Sequence, residues 1–163
     1  MNHTTRIILE KMLLVVLVAL LFVNGVFFGR ALDLGLMFLF IMGLTLGILL
    51  LELDELVFFR YYQEAGSAEK PLQLMTRSLV FMLALAPLGL FLMTSTGSFL
   101  GVGLFLGIVS GLSVELIEYR TSHAAFKSRF MQQLQRELTA AERQWFVIGF
   151  CCLGAIFALL IAF

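Results

Sequence analysis

Five carboxylates carry most of the chemistry that this sequence offers, and they lie in two short segments. Glu52, Asp54 and Glu55 follow one apolar run, and Glu115 and Glu118 follow another. In each segment the glutamates are three residues apart, which places them on one side of a helix. Carboxylate clusters suit hard cations such as Mg²⁺, Mn²⁺ or Ca²⁺, and they also suit proton exchange. The five residues therefore form a candidate cation site, and no residue is assigned a catalytic role.

A second interpretation of these acids needs no ligand, and the sequence favours it. Acidic residues at the end of an apolar helix commonly mark the point where the chain enters water. They would pair loosely there with Arg60, Arg77 or Arg120, as surface ion pairs do without any function. His123 follows Glu118 by five residues and could extend a metal site, but a solvated histidine is the commoner case.

Glycines precede both acidic segments at helical spacing. Gly43 and Gly47 form one stripe, and Gly103, Gly107 and Gly111 form a longer one. Lipid tails supply no hydrophobic drive for helices to associate, so close contact through small residues is a main source of affinity between membrane helices. We expect these glycines to pack two helices together. The alternative, glycines that line a narrow pore, is less favoured.

The composition indicates that lipid is the solvent of this chain. Hydrophobic residues make up 61% of the 163 residues and charged residues 13%, against about 45–50% and about 25% in soluble domains. A membrane helix needs about 20 apolar residues. The sequence predicts one integral membrane domain over 1–163, with spans at about 12–28, 34–51, 78–93, 99–114 and 145–163.

Short turns join the first two spans and the next two, which predicts two helical hairpins. A shift of 64 residues superposes Gly43 on Gly107 and Asp54 on Glu118, whereas a shift of 68 superposes Gly35 on Gly103. Both registers imply two hairpins of the same orientation, related by an axis along the membrane normal. The predicted fold class is all-α, a polytopic transmembrane bundle of about five spans with an internal repeat.

The segment between the fourth and fifth spans is amphipathic. Apolar residues recur at helical spacing with basic residues between them, which predicts an interfacial helix at about 125–138 on the cytoplasmic side. The alternative is a helix that packs on the loops of its own protein. Thr139 and Glu142 have the spacing of a capping box, so a new helix should begin near Ala140.

The distribution of basic residues predicts the orientation. Ten of the eleven lysines and arginines lie on the side of the N-terminus, and Arg30 alone lies on the opposite side. By the positive-inside rule the N-terminus is cytoplasmic and the C-terminus external, as in a bacterial cytoplasmic membrane. Basic and acidic residues are equal in number, so net charge gives no reason to expect a nucleic-acid partner.

No motif in the sequence identifies a reaction or a cofactor. Cys151 and Cys152 are adjacent and lack the spacing of a metal or redox site. The sequence therefore favours a non-enzymatic scaffold or subunit of a membrane assembly, with the bilayer and a homo-oligomer or other membrane subunits as partners. The alternative is a cation or proton carrier or channel, with the carboxylate cluster at its cytoplasmic mouth. A membrane-embedded enzyme ranks third.

Overall fold

The structure is a computed structural model, and it describes residues 11–13, 16, 17, 20, 34–64, 75–95, 98–131 and 138–162. This part of the chain is all-helical and contains no strand, which confirms the all-α prediction. The described residues from 11 to 20 are helical. The later helices are α1 Leu34–Glu64, α2 Leu79–Ser95, α3 Phe99–Tyr119, α4 His123–Phe130 and α5 Ala140–Ala162.

Among the described residues, three helices are long and apolar enough to cross a membrane. They are Leu34–Val57 within α1, the whole of α3, and Ala140–Leu160 within α5, each near the length of about 20 residues that a bilayer requires. The chain therefore has helices compatible with an integral membrane protein. The predicted span 78–93 corresponds to α2, whose apolar part is shorter, and most of the predicted span 12–28 lies outside the described residues.

The most extensive contact between helices joins α1 and α3. Four of the glycines singled out in the sequence lie in this contact. A β-carbon added to any of them would lie 2.2 or 2.3 Å from a backbone carbonyl oxygen of the opposite helix. These residues are Gly43, Gly47, Gly103 and Gly107. Only a residue without a side chain permits this approach, and close backbone contact is how membrane helices gain packing energy.

The two helices run parallel. Gly43 faces the carbonyl of Leu100, and Gly47, one turn later, faces the carbonyl of Leu104. Residue numbers therefore rise in the same direction along both helices. Gly111 differs from the other four glycines, because its added β-carbon would meet the side chain of Leu51 at 2.6 Å and no opposing backbone atom.

The helix α3 forms the centre of the described structure and also contacts α2, α4 and α5. Phe105 on α3 packs edge-on against Phe157 on α5, with ring centroids 5.2 Å apart. Gly89 on α2 lies against both rings, since a β-carbon there would be 2.5 Å from Phe105 and 2.8 Å from Phe157. The three helices therefore meet around one aromatic pair.

The helix α4 overlaps the segment predicted to form an interfacial helix at about 125–138. It ends at Phe130, and part of the predicted range lies outside the described residues. Its apolar residues Phe126 and Phe130 are buried, with Phe126 against Phe146 and Phe130 against Tyr119. The apolar side of α4 thus packs on α3 and α5 of the same chain. These contacts are with helices and not with the loops that the alternative interpretation named, and a place at the membrane interface stays a prediction. Aromatic residues one turn apart suit the space between those helices.

The helix α5 begins at Ala140, as predicted. The backbone N–H of Thr139 donates to Oε2 of Glu142 at 2.8 Å, and the N–H of Glu142 donates to Oγ1 of Thr139 at 3.3 Å. This reciprocal pair is a capping box, which satisfies N–H groups that a helix start leaves without partners.

Candidate functional site

The parallel packing of α1 and α3 brings their acidic segments to the same end of the contact. Glu115 lies one helical turn after Gly111 on α3, and Glu55 lies one turn after Leu51 on α1. Glu52 is on the adjacent side of α1. Three of the five predicted cation ligands therefore lie at one end of this helix pair.

A buried ion pair between Glu115 and Arg77 forms the centre of this site. Arg77 lies in the turn before α2, and its Nε and Nη2 atoms donate to the two carboxylate oxygens of Glu115 at 2.5 and 2.7 Å. The side chains are 0% and 1% exposed, respectively. Nη1 of Arg77 also donates to the backbone carbonyl of Leu51 at 3.3 Å. This two-pronged geometry is the strongest form of a carboxylate–guanidinium pair.

Two further basic residues reach the same carboxylate. Nζ of Lys11 donates to Oε1 of Glu115 at 2.8 Å, and it also bonds Oε1 of Glu52. Arg129 on α4 donates from Nε to Oε2 of Glu115 at 3.4 Å. Glu115 is therefore contacted by cations from three different segments of the chain.

Glu55 completes the cluster, which we call the ion network: Lys11, Arg77 and Arg129 with Glu52, Glu55 and Glu115. Oε2 of Glu55 lies 3.0 Å from Nη2 of Arg77 and 2.6 Å from Nη2 of Arg129. Each basic residue of the network thus contacts two of the glutamates. The network joins the N-terminal segment, α1, the turn before α2, α3 and α4.

The charges of the ion network stabilise one another in a buried place. Burial acts against the charge of Arg77, but the hydrogen bond and charge of Glu115, together with Glu55 and Glu52, raise the pKa of Arg77 above its ordinary value. Arg77 is therefore cationic at any pH the protein meets. A buried ion pair gives little net stability compared with apolar packing, but removing one partner is costly.

Asp54 and Glu118, the other two predicted ligands, lie beside the network. Oδ2 of Asp54 accepts hydrogen bonds from the backbone N–H of Thr76, at 3.1 Å, and from its hydroxyl. This contact holds the turn that carries Arg77 against α1. Glu118 lies half-buried on α3, three residues beyond Glu115.

The described residues contain no group of three or more His, Cys, Asp and Glu side chains arranged to hold a metal ion. The cations that the structure places on Glu52, Glu55 and Glu115 are those of the protein itself. Loose solvated pairing does not describe Glu115 either, because its side chain is almost fully buried. Metal binding by the five acids stays a prediction.

Three residues of the site were not predicted from the sequence: Lys11, Thr76 and Arg129. Arg77 was predicted as a loose surface partner of the acids, but its pair with Glu115 is buried. The sequence does contain a pattern that matches the contact between α1 and α3. Gly43 faces Leu100 while Gly103 faces Phe40, so the facing pairs exchange under a shift of 60 residues. The same shift places Glu55 on Glu115, whereas the shifts of 64 and 68 do not.

Comparison with known proteins adds no relative. No protein-family model matches this sequence, and no curated protein or solved structure matches it. The ion network and the helices that carry it are therefore the basis for any functional inference.

Proposed function

We propose that the protein is a small, non-enzymatic, multi-pass integral membrane protein that acts as a scaffold or as a subunit of a membrane assembly. The observation that carries this proposal is the pairing within the ion network. The acids best placed to bind an ion or substrate are engaged by Lys11, Arg77 and Arg129. Such a network fixes how the segments sit together, a role for which buried ionic groups are known in some proteins.

The proposed topology has five spans arranged as two hairpins, followed by α4 and a final span, in a bacterial cytoplasmic membrane. Parallel packing of α1 and α3 supports it, because two hairpins of the same orientation place their second helices parallel. The bilayer is the first partner, and a homo-oligomer or other membrane subunits are the second. The N-terminus and the ion network lie on the cytoplasmic side.

The two hairpins form an internal repeat in the register of 60 residues. From 43 to 60, eight of the eighteen positions are identical to those 60 residues later. They are Gly43, Leu44, Leu46, Gly47, Ile48, Glu55, Leu56 and Arg60. The ion pairs support the same relation: Lys11, which precedes α1, pairs with Glu115 of the second hairpin, and Arg77, which precedes α3, pairs with Glu55 of the first.

A topology prediction follows from the basic residues and the odd number of spans. A reporter fused after Phe163 should behave as external, and one inserted at Gly66 should behave as cytoplasmic. Labelling of single cysteines at the same two positions with a membrane-impermeant reagent measures the same property. A cytoplasmic signal after Phe163 would rule out five spans.

The second candidate function is a cation or proton carrier or channel. The observation in its favour is Glu115 itself, an ionisable residue that is 1% exposed within an apolar, membrane-capable helix. Acidic residues in such places often mark ion or proton pathways. The structure favours the first candidate over this one because three basic side chains already contact the Glu115 carboxylate.

Transport and metal binding can be measured together on the full chain. In liposomes it should produce no flux of protons, Mg²⁺, Mn²⁺ or Ca²⁺ above that of empty liposomes. Its melting temperature in detergent should stay flat up to millimolar metal, because a metal that binds only the folded form would raise it.

The subunit role is tested by tagging this protein at its own locus. The tagged protein should leave the membrane in mild detergent as part of a complex larger than its homo-oligomer.

Flux above the empty-liposome level would favour the carrier, and the double variant Asp54→Asn with Glu118→Gln would then show whether these acids take part. A rise in melting temperature with metal that this variant abolishes would establish the cation site. Recovery of the tagged protein as a monomer or simple homo-oligomer, with no larger complex, would contradict the subunit role.

A further inference from the structure

A groove of about 420 Å³ lies between the N-terminal helical residues and α1. Its walls include Met12 and Val16 on one side and Ile48 and Leu49 on the other. Lys11 and Glu52 also line it, and their ion pair marks one end. The groove thus combines an apolar body with a charged end, as sites for amphiphiles do.

The charge that a ligand can reach in this groove is negative. The side chain of Glu52 is 41% exposed, whereas that of Lys11 is 4% exposed. A ligand cation that takes over Glu52 leaves Lys11 paired with Glu115 at 2.8 Å. A ligand anion would have to reach a buried ammonium group that two carboxylates already contact. The groove therefore favours a cationic ligand over an anionic one. A cation leaves the buried ammonium group of Lys11 paired with Glu115, and leaving a buried charge unpaired is costly.

We propose that this groove binds a cationic amphiphile, with its ammonium group at Glu52 and its apolar chain between Met12, Val16 and Leu49. The ligand reaches the groove from the bilayer, where amphiphiles concentrate. This site shares Glu52 and Lys11 with the ion network, but the binding proposal does not rest on the scaffold role. It adds a ligand class, single-chain organic cations, to a protein in which Glu55 and Glu115 pair with its own basic residues.

The test uses the full chain in phosphatidylcholine nanodiscs, titrated with tritiated dodecyltrimethylammonium, with empty nanodiscs as the blank. Binding should saturate at one ligand per chain. Glu52→Gln should weaken it about tenfold or more, the scale of a lost charged contact. Leu49→Trp, which fills the groove, should weaken it at least as much. Dodecyl sulfate, with the same chain and the opposite charge, should show no saturable binding.

The matched control is Leu50→Trp. Leu50 is the next residue on α1, is also exposed, and is not among the residues that line the groove, so this variant should bind like the parent. Thermal unfolding shows whether Glu52→Gln folds. If it does not fold, the comparison of Leu49→Trp with Leu50→Trp still decides the outcome. The proposal is overturned by an absence of saturable binding, by equal binding to the two tryptophan variants, or by saturable binding of dodecyl sulfate.

Discussion

Replacing Glu115 by glutamine should destabilise the folded protein by about 3–5 kcal/mol, the usual cost of removing one partner from a buried ion pair. Arg77 is 0% exposed and donates two hydrogen bonds to this carboxylate. Glutamine offers it one neutral oxygen in place of two charged ones. The measurement is unfolding of the full chain in mixed micelles, followed as the fraction of denaturing detergent rises.

The control is the double variant Glu115→Gln with Arg77→Met. The change Arg77→Met removes the buried positive charge of Arg77, which Glu115→Gln alone leaves without its main partner. The other two cations of the network keep an acid each, because Lys11 still contacts Glu52 and Arg129 still contacts Glu55. The double variant should therefore regain most of the lost stability. If it is as unstable as the single variant, the ion pair is not what makes Glu115 important.

Gly107→Ala should destabilise the protein by about 3 kcal/mol, at the upper end of the range for overpacking. The added methyl group would lie 2.3 Å from the carbonyl oxygen of Leu44, a backbone atom of α1 that cannot rotate away. The two helices must then separate along their whole contact. Thermal unfolding of the variant in detergent measures the loss.

Two other glycines serve as controls for this prediction. Gly111→Ala should cost less than Gly107→Ala, because its methyl group meets only the movable side chain of Leu51. Gly149→Ala should be neutral or stabilising, since nothing lies within 4 Å of its added β-carbon and alanine favours the helix by about 1 kcal/mol. Equal melting temperatures for Gly107→Ala and Gly149→Ala would show that the contact between α1 and α3 is not tight in solution.

Local patterns in the sequence were sufficient to predict the long apolar helices and the acidic residues of the candidate site. Apolar runs of membrane length predicted α1, α3 and α5, and the spacing of Thr139 and Glu142 predicted where α5 begins. Glycine spacing predicted which residues let two helices approach, since the absence of a side chain is a local property. The acids at the ends of these runs were likewise visible as candidate site residues.

The partners of those acids were not predictable in the same way. Arg77 and Arg129 lie in a turn and on a short helix, and no spacing rule tells which distant carboxylate they meet. The segment predicted as an interfacial helix packs through Phe126 and Phe130 on α3 and α5, and helical spacing alone does not tell which helices its aromatic residues meet. The shift of 60 residues that relates the facing glycines also relates Glu55 to Glu115. It differs from the predicted shifts of 64 and 68, which align Asp54 with Glu118 and Gly35 with Gly103.

The contact between α1 and α3 joins positions about 60 residues apart, and the ribosome needs time to synthesise the chain between them. At ~5–20 residues per second, α3 follows α1 from the ribosome after roughly 3–12 s. During this interval Gly43 and Gly47 have no parallel partner on their own chain, and Arg77 has yet to meet Glu115. Any neighbouring helix with small residues, including α1 of another nascent copy, competes for that surface. Slow translation of residues 65–98 therefore favours pairing between chains over pairing within one.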